Sequence, residues 1–327
     1  MWIVTESPEF ATRALGIELA GDLRDFPLAR EALTPSLRFL VDELVPGRRI
    51  YGRKQRPDNR WVGGDVLALQ APIASQFDAA IELVRAGYER PLYCIAGAGA
   101  SFRGHHGRSW SASLGNLHLT AILRPEKTGS HAVSALVALP SVALCDVLIR
   151  QGGLSQSRIK WVNDVLLDGS KVGGVLAHTS WRGDQVAAIV YGLGLNVEIT
   201  PTIALDPAVP SATSVCAYIP QAQLHHFAMP LMRALDQRLR NWSDHGGMPL
   251  LDAYRDLSVV LGKEVEILRD PRPLHEGEAS LSRQIVRKGK VLAIDDDLGV
   301  TLDDGNLSPV REGRIRLVEP VSHQLDD

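Results

Sequence analysis

Two loops of this 327-residue sequence carry cations beside glycines, the combination that handles anionic ligands. The first, GAGASFRGHHGRSW at 97–110, holds Arg103 and Arg108 five apart, with His105 and His106 between them and Trp110 just beyond. Guanidinium forks match phosphate oxygens two at a time and an indole face packs on a flat ring, so a nucleoside triphosphate is the natural guest. The same spacing also suits a solvated surface loop. His105-His106 has no third ligand at metal spacing, so no metal centre is expected there. The second loop, KVGGVL at 171–176, opens on Lys171, and a third, GLGLN at 192–196, has no cation of its own. Glycines at strand ends let backbone N–H groups come close to a ligand. Neither a P-loop nor a complete dinucleotide fingerprint is present. In IKWVND, Asn163-Asp164 suits a turn, while Asp164 could instead hold a metal-bound phosphate, since Mg²⁺ takes a carboxylate together with phosphate oxygens. Lys171 begins the next strand opposite Asp164, and spacing leaves both readings open.

These residues need elements to hold them. DVLALQAPI reads as a strand, Ser75 to Arg85 as a helix, and LYCIAGAGA as a buried strand entering the glycine loop. A strand at Leu117 to Leu123 and a long apolar helix from about His131 to Arg150 follow. IKWVNDVLL and KVGGVLAHTS read as two strands joined by a hairpin at Asp168-Gly169, with AAIVYGLGLNV next. The pattern predicts a mixed α+β sheet rather than a doubly wound parallel one. Gln221 to Trp242 forms an amphipathic helix, and after Gly262 five or so short strands predict a small β-barrel. The division expected is residues 1–62 as a segment of unknown role, 63–258 as the mixed-sheet domain and 259–320 as the barrel. Arg48 to Arg60, basic and polar, reads as a solvated linker.

Composition narrows the classes. Lys plus Arg number 35 against 38 Asp plus Glu, so a net charge of −3 offers no footprint for nucleic acid or an acidic membrane. Hydrophobic residues at 45% are ample for a core, and three scattered cysteines suit a reducing compartment. The N-terminus lacks the basic and apolar regions of a signal peptide, and no apolar stretch reaches the roughly 18 to 20 residues of a bilayer span. A cytoplasmic protein without a membrane partner is expected.

The ordered set RGHHGRSW, SLGNLHLTAILRP, KWVNDVLLDGSKVGGVL, GLGLNV, SATSV and YRDLSVVLGKEVEIL resembles the biotin–protein ligases over about residues 65–318. The resemblance implies a catalytic domain of the class II aminoacyl-tRNA synthetase-like fold followed by an SH3-like barrel. It also implies a two-step reaction in which biotin and MgATP form biotinoyl-5′-AMP and the acyl group then passes to a lysine of a biotin carboxyl carrier domain. By position, Lys171 is the lysine that holds the biotin carboxylate against the α-phosphate. Arg103 and Arg108 close over the adenylate, and Trp110 lies beside adenine. Asn163 and Asp164 line the nucleotide and Mg²⁺ region, Gly174, Gly192 and Gly194 line the biotin pocket, and Asn196 lies near the adenylate. Ser75, Gly104 and His105 complete the binding positions, and Lys160 plays a supporting part. The chain departs from the family pattern at Phe102 and His105, which replace a glycine and an arginine, and at Gly99, which replaces the glutamine that bonds the ureido ring. It departs again at Val162 for a proline, at His178 for a glutamate, and at Ser75-Gln76-Phe77 for Ser-Thr-Asn. These changes cluster on the acyl pocket, so a lipoate or other acyl–protein ligase is the first alternative and a biotin- or nucleotide-binding module the second. Either a monomer or a homodimer is compatible. Residues 1–60 show no recognition helix of a helix-turn-helix, so no nucleic-acid partner is expected.

Overall fold

The structure, a computed structural model, describes residues 1–16, 23, 26–54, 63–99, 101–104, 107–108, 110–125, 133–203, 210–269 and 284–318. The first half of the chain forms β1 (Trp2–Thr5), α1 (Pro8–Leu15), β2 (Pro27–Leu28), α2 (Pro35–Leu44), β3 (Ile50–Lys54), β4 (Asp65–Leu69), α3 (Gln76–Arg85), β5 (Leu92–Ala96), β6 (Leu117–Leu123) and α4 (Val133–Gly152). There follow β7 (Ser157–Lys160), β8 (Asp164–Leu167), β9 (Ser170–Arg182), β10 (Gln185–Leu195), α5 (His225–His245) and α6 (Met248–Leu257). The chain closes with β11 (Glu264–Leu268), β12 (Ile285–Ile294), β13 (Val300–Leu302) and β14 (Arg314–Leu317).

Local chemistry sets several boundaries. The first three helices each start at a hydroxyl that accepts an otherwise unpaired N–H: Ser7 from Phe10, Thr34 from Leu37 and Ser75 from Asp78. Pro8 and Pro35 take first-turn positions, where a missing N–H removes no helical bond. The β8–β9 hairpin turns through Asp168 and Gly169, at φ of 45° and 78°. Positive φ at both central residues gives the turn whose twist matches its strands.

Ten strands form one mixed sheet in the order β2-β3-β1-β4-β5-β6-β10-β9-β8-β7. β1, β4 and β5 run parallel, and the other neighbours pair antiparallel. Ile95, Leu119, Val175 and Tyr191 pack with α1, α4, α5 and α6 on one face. Leu67, Cys94, Ile122 and Val190 pack with α2 and α3 on the other.

Three expectations change here. Part of the basic stretch read as a linker is β3, whose Ile50 is buried and whose Lys54 pairs with Trp2. Its buried positions are Ile50 and Gly52, while Arg53 is half-buried and Lys54 exposed, so composition alone hides the strand; residues 55–60 lie outside the described residues. IKWVNDVLL is two strands, with Lys160 opposite Asp164 and a tight turn between them whose Trp161–Val162 peptide is cis. The apolar helix α4 runs 20 residues, long and apolar enough by length and composition to cross a bilayer, contrary to the expected shortfall. Most of it is buried against α5, α6 and the sheet, as a core helix would be.

The C-terminal strands form a four-stranded antiparallel sheet, β13-β12-β11-β14, where five or so strands were expected. It is tied to the β7–β8 turn: Trp161 Nε1 donates to the Leu298 carbonyl at 2.7 Å, and Val259 N donates to the Ile159 carbonyl at 2.9 Å.

Candidate active site

The strand registers carry one row of residues straight across the sheet. Asp164 on β8 pairs with Gly174 on β9, Gly174 with Gly194 on β10, Gly194 with His118 on β6, and His118 with Ala96 on β5. Directly paired residues point to the same face, so these side chains share the face that carries α3. Gly192, two residues from Gly194, lies on that face as well, and a Cβ there would come within 2.9 Å of the Phe77 ring on α3. The glycines therefore floor a trough.

Trp110 lies on that floor. A Cβ at Gly194 would stand 2.2 Å from its Cζ2, and one at Gly174 would stand 3.3 Å from its Cζ3. At the β8 end, Lys171 Nζ is 2.5 Å from Asp164 Oδ1 and 5.4 Å from the centre of the Trp110 ring. Plain alternation would turn Lys171 away from Gly174. The β8–β9 register slips between Val165 and Leu166, whose partners are Gly173 and Lys171, and the extra residue re-aims the lysine. Its backbone is held by the segment after β10: Lys171 N donates to the Ser211 carbonyl at 2.6 Å and Thr213 N donates to the Lys171 carbonyl at 2.9 Å.

Charge converges on this end. Burial pushes the Asp164 carboxyl up, but Lys171, Lys160 and Arg108 outweigh it and hold the group below the usual carboxylate range. Lys160 is only 5% exposed, and burial, opposed by Asp164, pulls its ammonium down to about 8. Three cations around one carboxylate leave a surplus of positive charge, which suits a second anion such as a carboxylate or a phosphate.

The other expected residues divide into supports and loop positions. Asn163 Nδ2 donates to the Val175 carbonyl at 2.8 Å, so its amide holds the β7–β8 turn against β9. Asn196 Nδ2 donates to the Thr213 carbonyl at 2.9 Å, and its buried Oδ1 has no partner among the described residues. Ser75 caps α3 at the trough's edge. Gly104 N donates to the Arg108 carbonyl at 2.6 Å in a turn that places Gly107 at φ 71°. Arg108 acts on Asp164 and Lys160, and Arg103 is exposed on the loop. His105 lies outside the described residues.

At the far end, Gln76 stood in the sequence only as a departure from the family motif, and His118 was not singled out. His118, 3% exposed, has no partner among the described residues for either ring nitrogen, and burial pulls its imidazole down to about 3. Gln76, 5% exposed, donates from Nε2 to the His118 carbonyl at 2.9 Å, and its Oε1 has no partner among the described residues. The signal available was one imidazole in a largely apolar strand, LHLTAIL.

Comparison with known proteins identifies the family. The sequence model of the Biotin/lipoate A/B protein ligase family matches residues 76–196. A biotin–[acetyl-CoA-carboxylase] ligase of Paracoccus denitrificans is 32% identical over 171 residues, covering 50% of this chain and 69% of the relative. The bifunctional ligase/repressor BirA of Bacillus subtilis is 26% identical over 247 residues, covering 75% of this chain and 71% of the relative. The fold is similar to that of the biotin protein ligase from Aquifex aeolicus solved with biotin and ATP. That match has a TM-score of 0.52 at 18% identity and covers 69% of this chain and 88% of the other. A trough floored by glycines, with a lysine and a carboxylate at one end and these relatives beside it, places the chain in the biotin/lipoate protein ligase family.

Proposed function

We propose that this protein is an ATP-dependent biotin–protein ligase, and that the cluster of Lys171, Asp164, Lys160 and Arg108 at the end of the glycine floor is where the acid is activated. In the first step a carboxylate oxygen of biotin attacks the α-phosphorus of ATP, the bond to the β-phosphate bridge breaks, and pyrophosphate leaves. Two anions must approach each other, and fixed cations lower that barrier without reorganising. Lys171, clamped through its own N–H and carbonyl, is held to bridge both anions. In the second step a lysine amine of a biotin carboxyl carrier domain attacks the acyl carbon and AMP leaves. Arg108 and Arg103 bind the nucleotide phosphates, and Trp110 packs on a ring of the bound adenylate.

Mg²⁺ accompanies the nucleotide. Among the described residues no group of three His, Cys, Asp or Glu forms a cage, and a single carboxylate fits an ion that keeps most of its ligands as phosphate oxygens and water. Asp164 is the residue that would hold it, and the ion would neutralise phosphate charge.

The C-terminal sheet and its links to β7–β8 support a division at about residue 259, with the final strands approaching an SH3-like barrel. We propose no nucleic-acid partner: α1 and α2 pack on opposite faces of the sheet, an arrangement unlike a helix-turn-helix. A cytoplasmic monomer or homodimer fits this reading. Mass spectrometry of a purified biotin carrier domain after incubation with this protein, biotin and MgATP tests it: a biotin adduct on one lysine is expected, and no adduct would refute it. Phe102 supports a second reading, because its ring adds apolar surface at the acyl end that would suit lipoate. Pyrophosphate exchange with lipoate and none with biotin would favour that reading.

A further inference from the structure

The end of the trough opposite Lys171 holds three buried polar atoms that the described residues do not satisfy: Gln76 Oε1, His118 Nδ1 and His118 Nε2. Each such atom costs about 1 to 3 kcal/mol if nothing pairs with it. Their chemistry is well defined. Gln76 spends its amide N–H on the His118 carbonyl, so the network fixes Oε1 as the outward acceptor. The His118 imidazole is neutral across the physiological range, so it offers one N–H donor and one bare nitrogen. His118 pairs with Gly194 and so faces the trough. Three strand spacings, about 14 Å at ~4.8 Å each, separate it from Asp164. That length accommodates an extended acyl chain carrying a ring.

Gly99 offers no side chain at this end, and Phe102 keeps it so, because a Cβ at Gly99 would come within 2.5 Å of the Phe102 ring. The same ring lies against His118, with centroids 5.5 Å apart and planes tilted by 54°. We propose that Gln76 and His118 are the specificity pair for the acid's head group: Gln76 Oε1 accepts from an N–H of the ureido ring and the His118 N–H donates to its carbonyl. The pair rests on the biotin-ligase reading above and extends it. A dithiolane or a plain alkyl chain offers neither a donor nor an acceptor, so the pair selects for biotin alone, with Phe102 as its apolar cover.

ATP–pyrophosphate exchange with biotin and with lipoate, run on the whole protein, tests the pair. Gln76→Leu and His118→Phe keep bulk and remove the polar atoms. Each should raise the KM for biotin about 10- to 100-fold, the range of one to two lost hydrogen bonds, with kcat and the KM for ATP near wild type. His118→Asn, which restores a donor, should recover most of the loss. Thermal melting checks folding, and if His118→Phe does not fold, Gln76→Leu carries the test. Folded variants whose biotin KM stays within about threefold of wild type, or whose KM for ATP rises in parallel, overturn the pair while leaving the ligase reading intact. A wild-type protein that exchanges with lipoate and not with biotin overturns both.

Discussion

Replacing Lys171 with methionine keeps an unbranched chain and removes the charge at the centre of the proposed chemistry. Two unit charges about 4 Å apart interact by about 4 kcal/mol at an effective dielectric near 20, which is the most the ammonium could supply to an approaching anion. Lys171 is 22% exposed, and Lys160 and Arg108 remain to act on the same carboxylate, so part of that field survives. A loss of about 2.7 kcal/mol, or about 100-fold in kcat/KM for pyrophosphate exchange, is the expected outcome. Lys171→Arg keeps the charge but changes its reach and shape, and should fall between. The same substitution acts on stability. Asp164 titrates below its ordinary value because Lys171, Lys160 and Arg108 together outweigh burial. Its contribution to stability is therefore full above the unfolded value of about 3.9 and is lost as pH falls through the lower folded value. With Lys171 gone the folded value rises, so acid unfolding should begin at higher pH than in wild type. Exchange within about threefold of wild type, together with an unchanged acid transition, would show that the ammonium neither activates the acid nor holds Asp164.

Other perturbations read other parts of the site. Gly194→Ala puts a Cβ 2.2 Å from Trp110, so the indole must leave the floor; urea unfolding should show a loss of about 1 to 3 kcal/mol, with a shift in tryptophan emission. Gly99→Gln alone should destabilise by clashing with Phe102, and adding Phe102→Gly should relieve it, a coupling of about 1 to 2 kcal/mol in a double-mutant cycle. Exchange activity should decline as pH rises through about 8, where buried Lys160 loses its proton, and Lys160→Arg should remove that limb. Because the unfolded lysine holds its proton to about 10.4, the Lys160 contribution should make folding stability rise with pH between those values in a calorimetric series. Tyr254→Phe removes the bond its hydroxyl donates to the Val162 carbonyl at 3.0 Å and should cost about 1 kcal/mol by thermal melting.

Much of the fold was legible because its elements carry strong local signals. The Asp168-Gly169 turn needs positive φ at both positions, and Ser75 ahead of an apolar helical spacing caps α3. The N-terminal strands were not legible. β2 has two residues, and β3 has only five, ending in two adjacent basic residues, in a stretch whose charge reads as solvent-exposed. Their pairing is long-range, Trp2 with Lys54, and short-range patterns carry no trace of it. α4 shows the converse limit: a largely apolar helix of 20 residues describes a bilayer span and a core helix equally well, and only the packing of α5, α6 and the sheet around it decides for the core.

For the site, residue types were readable and their facing was not. Lys171 and Gly174 are three apart on one strand, and strict alternation would put them on opposite faces of the sheet. The register slip at Val165 and Leu166 brings them to the same face and lets Lys171 reach Asp164 across the strand pair. The same logic hides the far end. His118 lies 53 residues before Lys171, yet three pairings, through Gly194 and then Gly174 to Asp164, carry it into the row that ends there. A loop-centred reading finds the cations, because glycines and arginines mark themselves. Neutral polar atoms inside apolar strands become visible only when the registers put them on the ligand's face and burial leaves them unpaired. Selection between acids of similar charge therefore belongs to the residues that sequence patterns are least able to distinguish from core.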